Sequence, residues 1–153
     1  MKVSNNSLNI RKAKLYDVPT ILQLCEEFLK TTSIAVFGFD RERTFNLMVT
    51  WLDKPPKEAI LLVSVDQTNK VVGVIGGYKQ EHHFAPITMA QEYLFCGTDS
   101  LRLINTFEQW AKWVEADFIT LSTLRTKEEL RLHKIYKHKG WSIVESSLLK
   151  EIR

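Results

Sequence analysis

The chain has 153 residues, a formal net charge of +3 and 44% hydrophobic residues. This length predicts a single domain over residues 1–153 that buries enough surface to fold without disulfides or a metal. The composition excludes collagen-like repeats, coiled coil and disorder, and no apolar run approaches the roughly 20 residues of a membrane helix. The polar N-terminus lacks the apolar core of a secretory signal, so we expect a cytoplasmic protein with its two cysteines reduced.

The first third of the sequence predicts one strand and two helices. Leu8–Lys14 alternates partly between polar and apolar residues, as a short strand does. Asp17 is a suitable N-cap for the first helix, and a proline follows in its first turn, where a missing N–H costs nothing. After a loop over Thr31–Phe39, Asp40 is the expected N-cap of a second helix. Lys54–Pro56 ends that helix, because proline cannot continue it.

The middle of the sequence predicts three strands and a long helix. Ala59–Val65 and Val71–Tyr78 are β-prone runs, and the residues Asp66–Asn69 between them have the chemistry of a turn. Thr88–Cys96 predicts the next strand. Gly97–Ser100 then opens an amphipathic helix whose apolar residues recur every three or four positions.

The last third predicts a strand, a helix and a final strand. Phe118–Ser122 is a short β-prone run. Thr126 caps a fourth helix, with Glu129 at the capping-box position, and Gly140 ends it. Trp141–Lys150 reads as the last strand. The order β-α-α-β-β-β-α-β-α-β predicts an α/β fold with a mixed, mostly antiparallel central sheet and helices on both faces.

Four segments in this order resemble known sequences. They are Ile10–Ala13 with Tyr16–Ile21, Val71–Gly77, Phe107–Lys112 with Phe118–Ser122, and Ile135–Trp141. Together they resemble the GNAT acyl-CoA N-acyltransferase superfamily, and the ending Ser146–Ile152 is similar to small GNAT-like proteins of bacteriophages. The resemblance implies a GNAT-like fold and transfer of an acetyl group from acetyl-CoA to an amine. A phage-encoded protein of this kind would act in the host cytoplasm or the virion.

The loop before the third helix departs from the family pattern. GNAT members that bind acetyl-CoA carry Q/R-x-x-G-x-G/A there, whose amides hold the pyrophosphate. This chain has a stretch shorter by roughly half a dozen residues, judged against such a helix-start anion loop. Asp99 is expected to point negative charge toward the diphosphate unless Arg102 compensates. By resemblance, the cofactor-binding residues are Cys96, Gly97, Thr98, Ser100, Leu101 and Arg102.

Two residues are candidates for the chemistry of acyl transfer. The resemblance implies Tyr136 as the general acid that protonates the leaving thiolate; the alternative is a ring that packs at the helix end. Family members often place a carboxylate base in the fourth strand, where this chain has Glu92. Strand alternation predicts that Glu92, Leu94 and Cys96 share one face, where partial burial would raise the glutamate pKa. The alternative is an edge glutamate or the partner of a lysine.

Other polar residues give weaker signals. Cys96 would need a neighbouring base to act as a nucleophile, and a buried inert thiol is the competing interpretation. His82 and His83 are adjacent, so in a strand they would point to opposite faces, and we predict no metal site. Trp113 falls off the apolar stripe of its helix, which indicates self-association or a protein partner.

The fourth helix is rich in cations. A solvated surface, contact with the 3′-phosphate of CoA and contact with nucleic acid are the three interpretations, and we do not expect nucleic acid. Two functions therefore compete for the whole chain. One is an N-acetyltransferase. The other is a non-catalytic GNAT-fold module, such as a phage particle component or an inhibitor of a host protein, with a degenerate acetyl-CoA loop.

Overall fold

The computed structural model describes residues 8–123, 129–145 and 147–152. Five strands and four α-helices are formed in these ranges. They are β1 (Asn9–Lys12), α1 (Val18–Leu29), α2 (Arg41–Leu52), β2 (Ala59–Val65), β3 (Val71–Glu81), β4 (Thr88–Gly97), α3 (Ser100–Trp113), β5 (Phe118–Thr120) and α4 (Glu129–His138). The predicted α/β fold class is confirmed.

The strands form one sheet in the order β1-β2-β3-β4-β5. The first four strands are antiparallel to their neighbours, because short turns join β2 to β3 and β3 to β4. β5 runs parallel to β4, since α3 crosses between them. The sheet is therefore mixed and mostly antiparallel, as predicted.

Each face of the sheet carries its own apolar layer. Val63 and Val74 point to the side covered by α1 and α2. Their neighbours Leu62 and Ile75 point to the side covered by α3, where Phe107 is fully buried and α4 also packs. Helices thus cover both faces, because β2 and β3 are apolar on both sides.

The two predicted N-caps behave differently. The Asp40 carboxylate accepts a 2.9 Å hydrogen bond from the Arg43 N–H and caps α2 as predicted. Asp17 does not cap α1. It ends a 3₁₀ turn, where its carboxylate accepts from the Lys14 N–H at 2.8 Å and binds the Arg11 guanidinium at 2.7 and 2.9 Å. The Asp17 side chain therefore faces back toward β1.

The predicted last strand is not formed. Gly140 ends α4 in the left-handed region, at φ +86°, but residues 141–145 and 147–152 have no regular structure. β-branched residues favour a strand only where an edge accepts them, and β5 offers just three residues. Thr126, the predicted cap of α4, lies outside the described residues. None of the helices in the described ranges is long and apolar enough to cross a bilayer.

Candidate active site

β4 and β5 pair over only a short stretch and then separate. Their parallel pairing ends at Gln91 and Thr120. β4 continues to Gly97 while still paired with β3 on its other side. Beyond Gln91, the outer edge of β4 faces no strand within the described ranges. An extended ligand can therefore hydrogen-bond along this edge.

A bulge in β4 decides which side chains face which helices. Gly76 pairs with Leu94 and Gly77 pairs with Glu92, so Tyr93 is an extra residue. Leu94 packs with the α1 layer. Gly77, the partner of Glu92, has its Cβ position against Phe107 of α3. Directly paired residues share a face, so Glu92 lies on the face opposite Leu94.

The prediction that Glu92 shares a face with Leu94 and Cys96 is therefore wrong. The extra residue at Tyr93 shifts the alternation by one position between Glu92 and Leu94. Cys96 faces α1 with Leu94, whereas Glu92 faces the α3 side of the sheet.

Glu92 is a buried carboxylate at the point where the two strands diverge. Its residue is only 5% exposed, and its Oε2 accepts a 2.9 Å hydrogen bond from the Ser122 N–H, just past the end of β5. Burial raises the pKa of Glu92 to about 7, and the hydrogen bond from Ser122 opposes part of that rise. A carboxylate with this pKa can accept a proton near neutral pH.

Tyr136 lies on the same face of the sheet as Glu92. Its residue is 7% exposed and belongs to the apolar layer around α3. Burial, and then the negative charge of Glu92, raises the pKa of the Tyr136 phenol, so the hydroxyl keeps its proton at neutral pH.

The end of α4 fixes the position of Tyr136. The Trp141 N–H donates to the Tyr136 carbonyl at 3.1 Å, and the Gly140 N–H donates to the Lys137 carbonyl at 3.1 Å. These two bonds and the left-handed Gly140 form a Schellman cap. The Trp141 ring lies 6.4 Å from the Tyr136 ring, centroid to centroid. Ring packing at the helix end, the alternative role for Tyr136, is therefore present.

Only two residues, Thr98 and Asp99, connect β4 to α3. The Thr98 N–H donates to the Val72 carbonyl of β3 at 2.8 Å, so this amide faces the sheet. Gly73 and Gly97 allow the close approach: a Cβ on Gly73 would overlap the Thr98 carbonyl oxygen, and one on Gly97 would overlap Val72. The connection between β4 and α3 is short, as predicted, and the Thr98 amide is bonded to β3 rather than free to bind a ligand.

Asp99 turns its carboxylate toward the sheet. It has left-handed backbone angles (φ 62°, ψ 32°), and its Oδ2 accepts a 2.8 Å hydrogen bond from the hydroxyl of the buried Ser64 in β2. Arg102 lies 3.5 Å from the same oxygen. The expectation that Asp99 points toward a diphosphate is therefore wrong. Arg102 is close enough to compensate the negative charge of Asp99.

The first turn of α3 retains unused donors. The Asp99 side chain does not cap the helix. The N–H groups of Ser100, Leu101 and Arg102 lie in the first turn, where a helix offers its amides no carbonyl acceptor. Such amides attract anions. Of the six predicted cofactor-binding residues, Ser100, Leu101 and Arg102 lie in the first turn of α3. Gly97 and Thr98 pack against β3 instead.

Cys96 is separated from this surface. Its Sγ lies 3.8 Å from the Sγ of Cys25 in α1, and both thiols are free and buried. The contact with Cys25, together with burial, raises the pKa of the Cys96 thiol. A protonated buried thiol is a poor nucleophile, so only the Cys96 backbone is available to a ligand along β4.

Sequence reasoning missed two residues of the site. Ser122 was placed in β5 without a role, yet its amide holds Glu92. Tyr93 creates the bulge, stacks on Trp51 at 3.6 Å between centroids, and buries a hydroxyl without a partner among the described residues. The glycine pair Gly76–Gly77 opposite this position was the available signal, because glycines inside a strand often mark a bulge.

The remaining candidates lie on the surface. His82 and His83 flank the exposed ring of Phe84 at the β3–β4 turn. Within the described part of the chain, no three His, Cys, Asp or Glu side chains gather where they could hold a metal ion. Trp113 is 57% exposed, as its position off the stripe predicted, whereas Trp110 is buried and donates to the Pro56 carbonyl at 2.8 Å.

Comparison with solved structures identifies the fold. The chain is similar to a putative acetyl transferase from Pyrococcus furiosus, with a TM-score of 0.71, 18% identity, and 95% of this chain and 100% of that chain covered. It is also similar to a ribosomal-protein-alanine N-acetyltransferase from Brucella melitensis biovar Abortus 2308, with a TM-score of 0.68 and 14% identity. That alignment covers 96% of this chain and 100% of the other. A third similar structure is a GNAT family acetyltransferase from Staphylococcus aureus, with a TM-score of 0.64 and 16% identity. That alignment covers 95% of this chain and 99% of the other.

These similarities establish a GNAT fold over nearly the whole chain. No protein-family model matches the sequence, and no curated protein matches it. Because the identities are 14% to 18%, the similarity concerns the fold alone.

Proposed function

We propose that this protein is an N-acetyltransferase that moves an acetyl group from acetyl-CoA to an amine. The observation that carries the proposal is the buried Glu92 carboxylate, whose pKa is raised to about 7 where β4 and β5 separate. A GNAT fold alone is compatible with many functions. A buried base beside an open strand edge and a protonated phenol is what acyl transfer to an amine requires.

The donor lies along the free edge of β4 in this proposal. Its pantetheine amides pair with the backbone between Glu92 and Gly97, in the manner of an added strand. A phosphate meets the first-turn amides of α3, where Ser100, Leu101 and Arg102 supply the donors. The CoA thiol is the leaving group of the reaction.

Glu92 and Tyr136 move the two protons of the reaction. The amine nitrogen attacks the thioester carbonyl carbon, and the Glu92 carboxylate accepts a proton from that nitrogen, directly or through water. The carbon–sulfur bond then breaks, and the Tyr136 hydroxyl protonates the departing thiolate. The products are an amide and the free thiol of CoA. The proposal assigns the acceptor to the space beside the segment Thr31–Phe39 and the turn that follows β3.

The experiment measures release of the CoA thiol with acetyl-CoA and a panel of amines that includes peptides, polyamines and amino sugars. We expect turnover that Glu92→Gln reduces by at least roughly 100-fold and Tyr136→Phe by at least roughly tenfold. Tyr16→Phe and Glu42→Gln are matched controls, since both residues are exposed and far from the site in sequence. No turnover with any amine, together with no thermal shift at millimolar acetyl-CoA, would refute the proposal.

A second candidate function is a non-catalytic module, in line with the resemblance to phage proteins, acting in the host cytoplasm or in a particle. The two-residue connection before α3 and the exposed Trp113 favour it. It predicts a dimer or a stable protein partner that Trp113→Ala weakens. Sedimentation of the wild-type chain and of Trp113→Ala tests this directly.

A further inference from the structure

Two free thiols face each other between α1 and β4. The Cys25 Sγ lies 3.8 Å from the Cys96 Sγ, although the two residues are 71 positions apart in the sequence. Both thiols are free and buried, with 3% and 5% of the residue surface exposed. They are the only cysteines of the chain, so each has the other as its single thiol partner within one molecule. The proposed acyl transfer uses neither sulfur.

The gap between the two sulfurs is small enough to close. A disulfide bond is about 2.05 Å long, so the sulfurs would have to approach each other by roughly 1.8 Å. Both side chains already point into the same apolar layer between α1 and the sheet. A disulfide requires that its two side chains point toward each other, and this contact meets that requirement.

A third polar group lies beside the two thiols. The Tyr93 hydroxyl is buried and has no hydrogen-bond partner among the described residues. Burial, and then the negative charges of a Cys25 thiolate and of Glu92, raise the pKa of Tyr93, so the phenol lies near Cys25 and keeps its proton. An unpartnered buried donor is costly. A sulfur or oxygen atom that gains negative charge beside Cys25 would accept the Tyr93 hydrogen bond.

We propose that Cys25 and Cys96 form a redox modification site, which closes to a reversible disulfide when the protein meets hydrogen peroxide. A small oxidant suits the site, because both sulfurs are buried. In a reducing compartment the two thiols are the stable form, and disulfides that form there are usually transient. Cys25 reacts first, because the Cys96 thiol and the Tyr93 hydroxyl are two donors beside its sulfur.

The two steps of the reaction conserve atoms and electrons. The Cys25 sulfur attacks one peroxide oxygen, the oxygen–oxygen bond breaks, and the other oxygen leaves as water with the thiol proton. The Tyr93 hydroxyl donates to the departing oxygen in this step. The Cys96 sulfur then attacks the sulfenic acid of Cys25, the sulfur–oxygen bond breaks, and a second water leaves with the Cys96 proton. Two thiols lose two electrons, and one peroxide is reduced to two waters.

The disulfide would act on the strand that carries the open edge. Cys96 is followed by Gly97 and Thr98, which are held against β3 by short contacts. The Thr98 N–H donates to the Val72 carbonyl at 2.8 Å, and a Cβ on Gly97 would overlap the same oxygen. Because these contacts leave little room for movement, a displacement of Cys96 toward α1 reaches the first turn of α3. The expected loss of acetyl-CoA affinity rests on the proposed function, whereas the disulfide itself does not.

Disulfide formation is measured first, because it is independent of turnover. The folded chain is treated with hydrogen peroxide without denaturant, and peptide mapping follows the linked Cys25–Cys96 peptides and the free thiols. We expect a disulfide within single chains, which a dithiol reductant returns to two thiols. Tyr93→Phe should slow its formation roughly fivefold, the effect of about one hydrogen bond, and the control Tyr78→Phe should not. Both tyrosines contact the Trp51 ring, so the control changes the same aromatic cluster.

Acetyl-CoA binding is then compared by calorimetry for the reduced and the oxidised protein, with Cys25→Ser as the control. We expect oxidation to lower the affinity of the wild type at least about fivefold, reduction to restore it, and peroxide to leave Cys25→Ser unchanged. A disulfide in a protein that binds acetyl-CoA in neither state would reject the proposed function and leave the modification site standing.

Four results would overturn the inference. They are thiols that stay free, thiols that become sulfinic acid without a disulfide, a disulfide between two chains, and equal rates of formation in Tyr93→Phe and the wild type. Equal acetyl-CoA affinity in the reduced and oxidised states would refute the coupling between the disulfide and the start of α3.

Discussion

The Ser122 N–H donates to Glu92 Oε2 at 2.9 Å, across the point where β4 and β5 separate. The donor is the main-chain amide of Ser122, so any residue except proline at position 122 can keep this bond to the Glu92 carboxylate. In the proposed reaction, this bond orients the carboxylate and leaves Oε1 to receive the proton of the amine. Glu92 is thus held at the same divergence of strands that leaves the edge of β4 open.

The pH dependence of turnover follows from the raised pKa of Glu92. The base acts only when ionised, so kcat/KM is expected to rise with pH through about 7 and then level off. Glu92→Gln should lower kcat by roughly 10²- to 10⁴-fold and remove this inflection. A pH–rate profile for both proteins measures it; a wild-type profile that is flat between pH 5 and pH 9 would contradict the assignment.

Stability is expected to depend on pH through the same residue. The folded pKa of Glu92, about 7, lies above its ordinary value of 4.5, so the folded state holds the proton more tightly. This contribution is fully present below pH 4.5 and is lost as pH rises toward 7, by about 3 kcal/mol. Urea unfolding at several pH values should show the loss, and Glu92→Gln should reduce it.

Asp99→Asn tests the effect of negative charge at the helix start. Because Asp99 turns inward to Ser64, the substitution acts by releasing Arg102, which lies 3.5 Å from the carboxylate. The released cation should increase the affinity for acetyl-CoA severalfold while leaving acetyl-pantetheine, which has no diphosphate, unchanged. Calorimetric titration of both ligands measures this. An equal change for the two ligands would mean that the substitution acts through the fold.

Ser64→Ala tests how the charge of Asp99 is held. The buried Asp99 oxygen would lose the Ser64 hydroxyl, which should cost about 1–3 kcal/mol of folding free energy. In the double variant Ser64→Ala/Asp99→Asn we expect a smaller loss than the sum of the two single changes, because the residues share one interaction. Additive losses in denaturant unfolding would show that the pair is not coupled.

Gly73→Ala tests the packing of the short connection against β3. A methyl group at this position would overlap the Thr98 carbonyl oxygen and crowd Leu103. The backbone there must shift, and we expect a loss of roughly 2–4 kcal/mol in the free energy of unfolding. Val72→Ala, at the partly exposed neighbouring position, is the control and should cost less. A Gly73→Ala protein as stable as the wild type would argue against this packing.

Much of the fold could be predicted because its signals are local. β2 begins and ends at the predicted residues, since turns and prolines bound an apolar run. Asp40 caps α2 for the same local reason. The last strand could not be judged locally, because strand formation at Trp141–Lys150 depends on a partner edge that β5 is too short to give.

The roles of the candidate site residues stay predictions, whereas part of their geometry differs from what the sequence indicated. Partial burial with a raised pKa was one of two interpretations of Glu92, beside an edge glutamate or a lysine partner, and the residue is buried with a raised pKa. Its face was wrong because the alternation assumed an uninterrupted strand, and Tyr93 interrupts it. The direction of Asp99 was missed because its partner, Ser64, lies 35 residues away in the sequence.

The most direct test of the account is the steady-state rate of thiol release with acetyl-CoA and an accepted amine, for the wild type and for Glu92→Gln. We predict measurable turnover by the wild type and a loss of at least roughly 100-fold in kcat for the variant at neutral pH, with a thermal stability no lower than that of the wild type. Equal turnover by the two proteins would contradict the account, because the buried carboxylate would then take no part in the reaction.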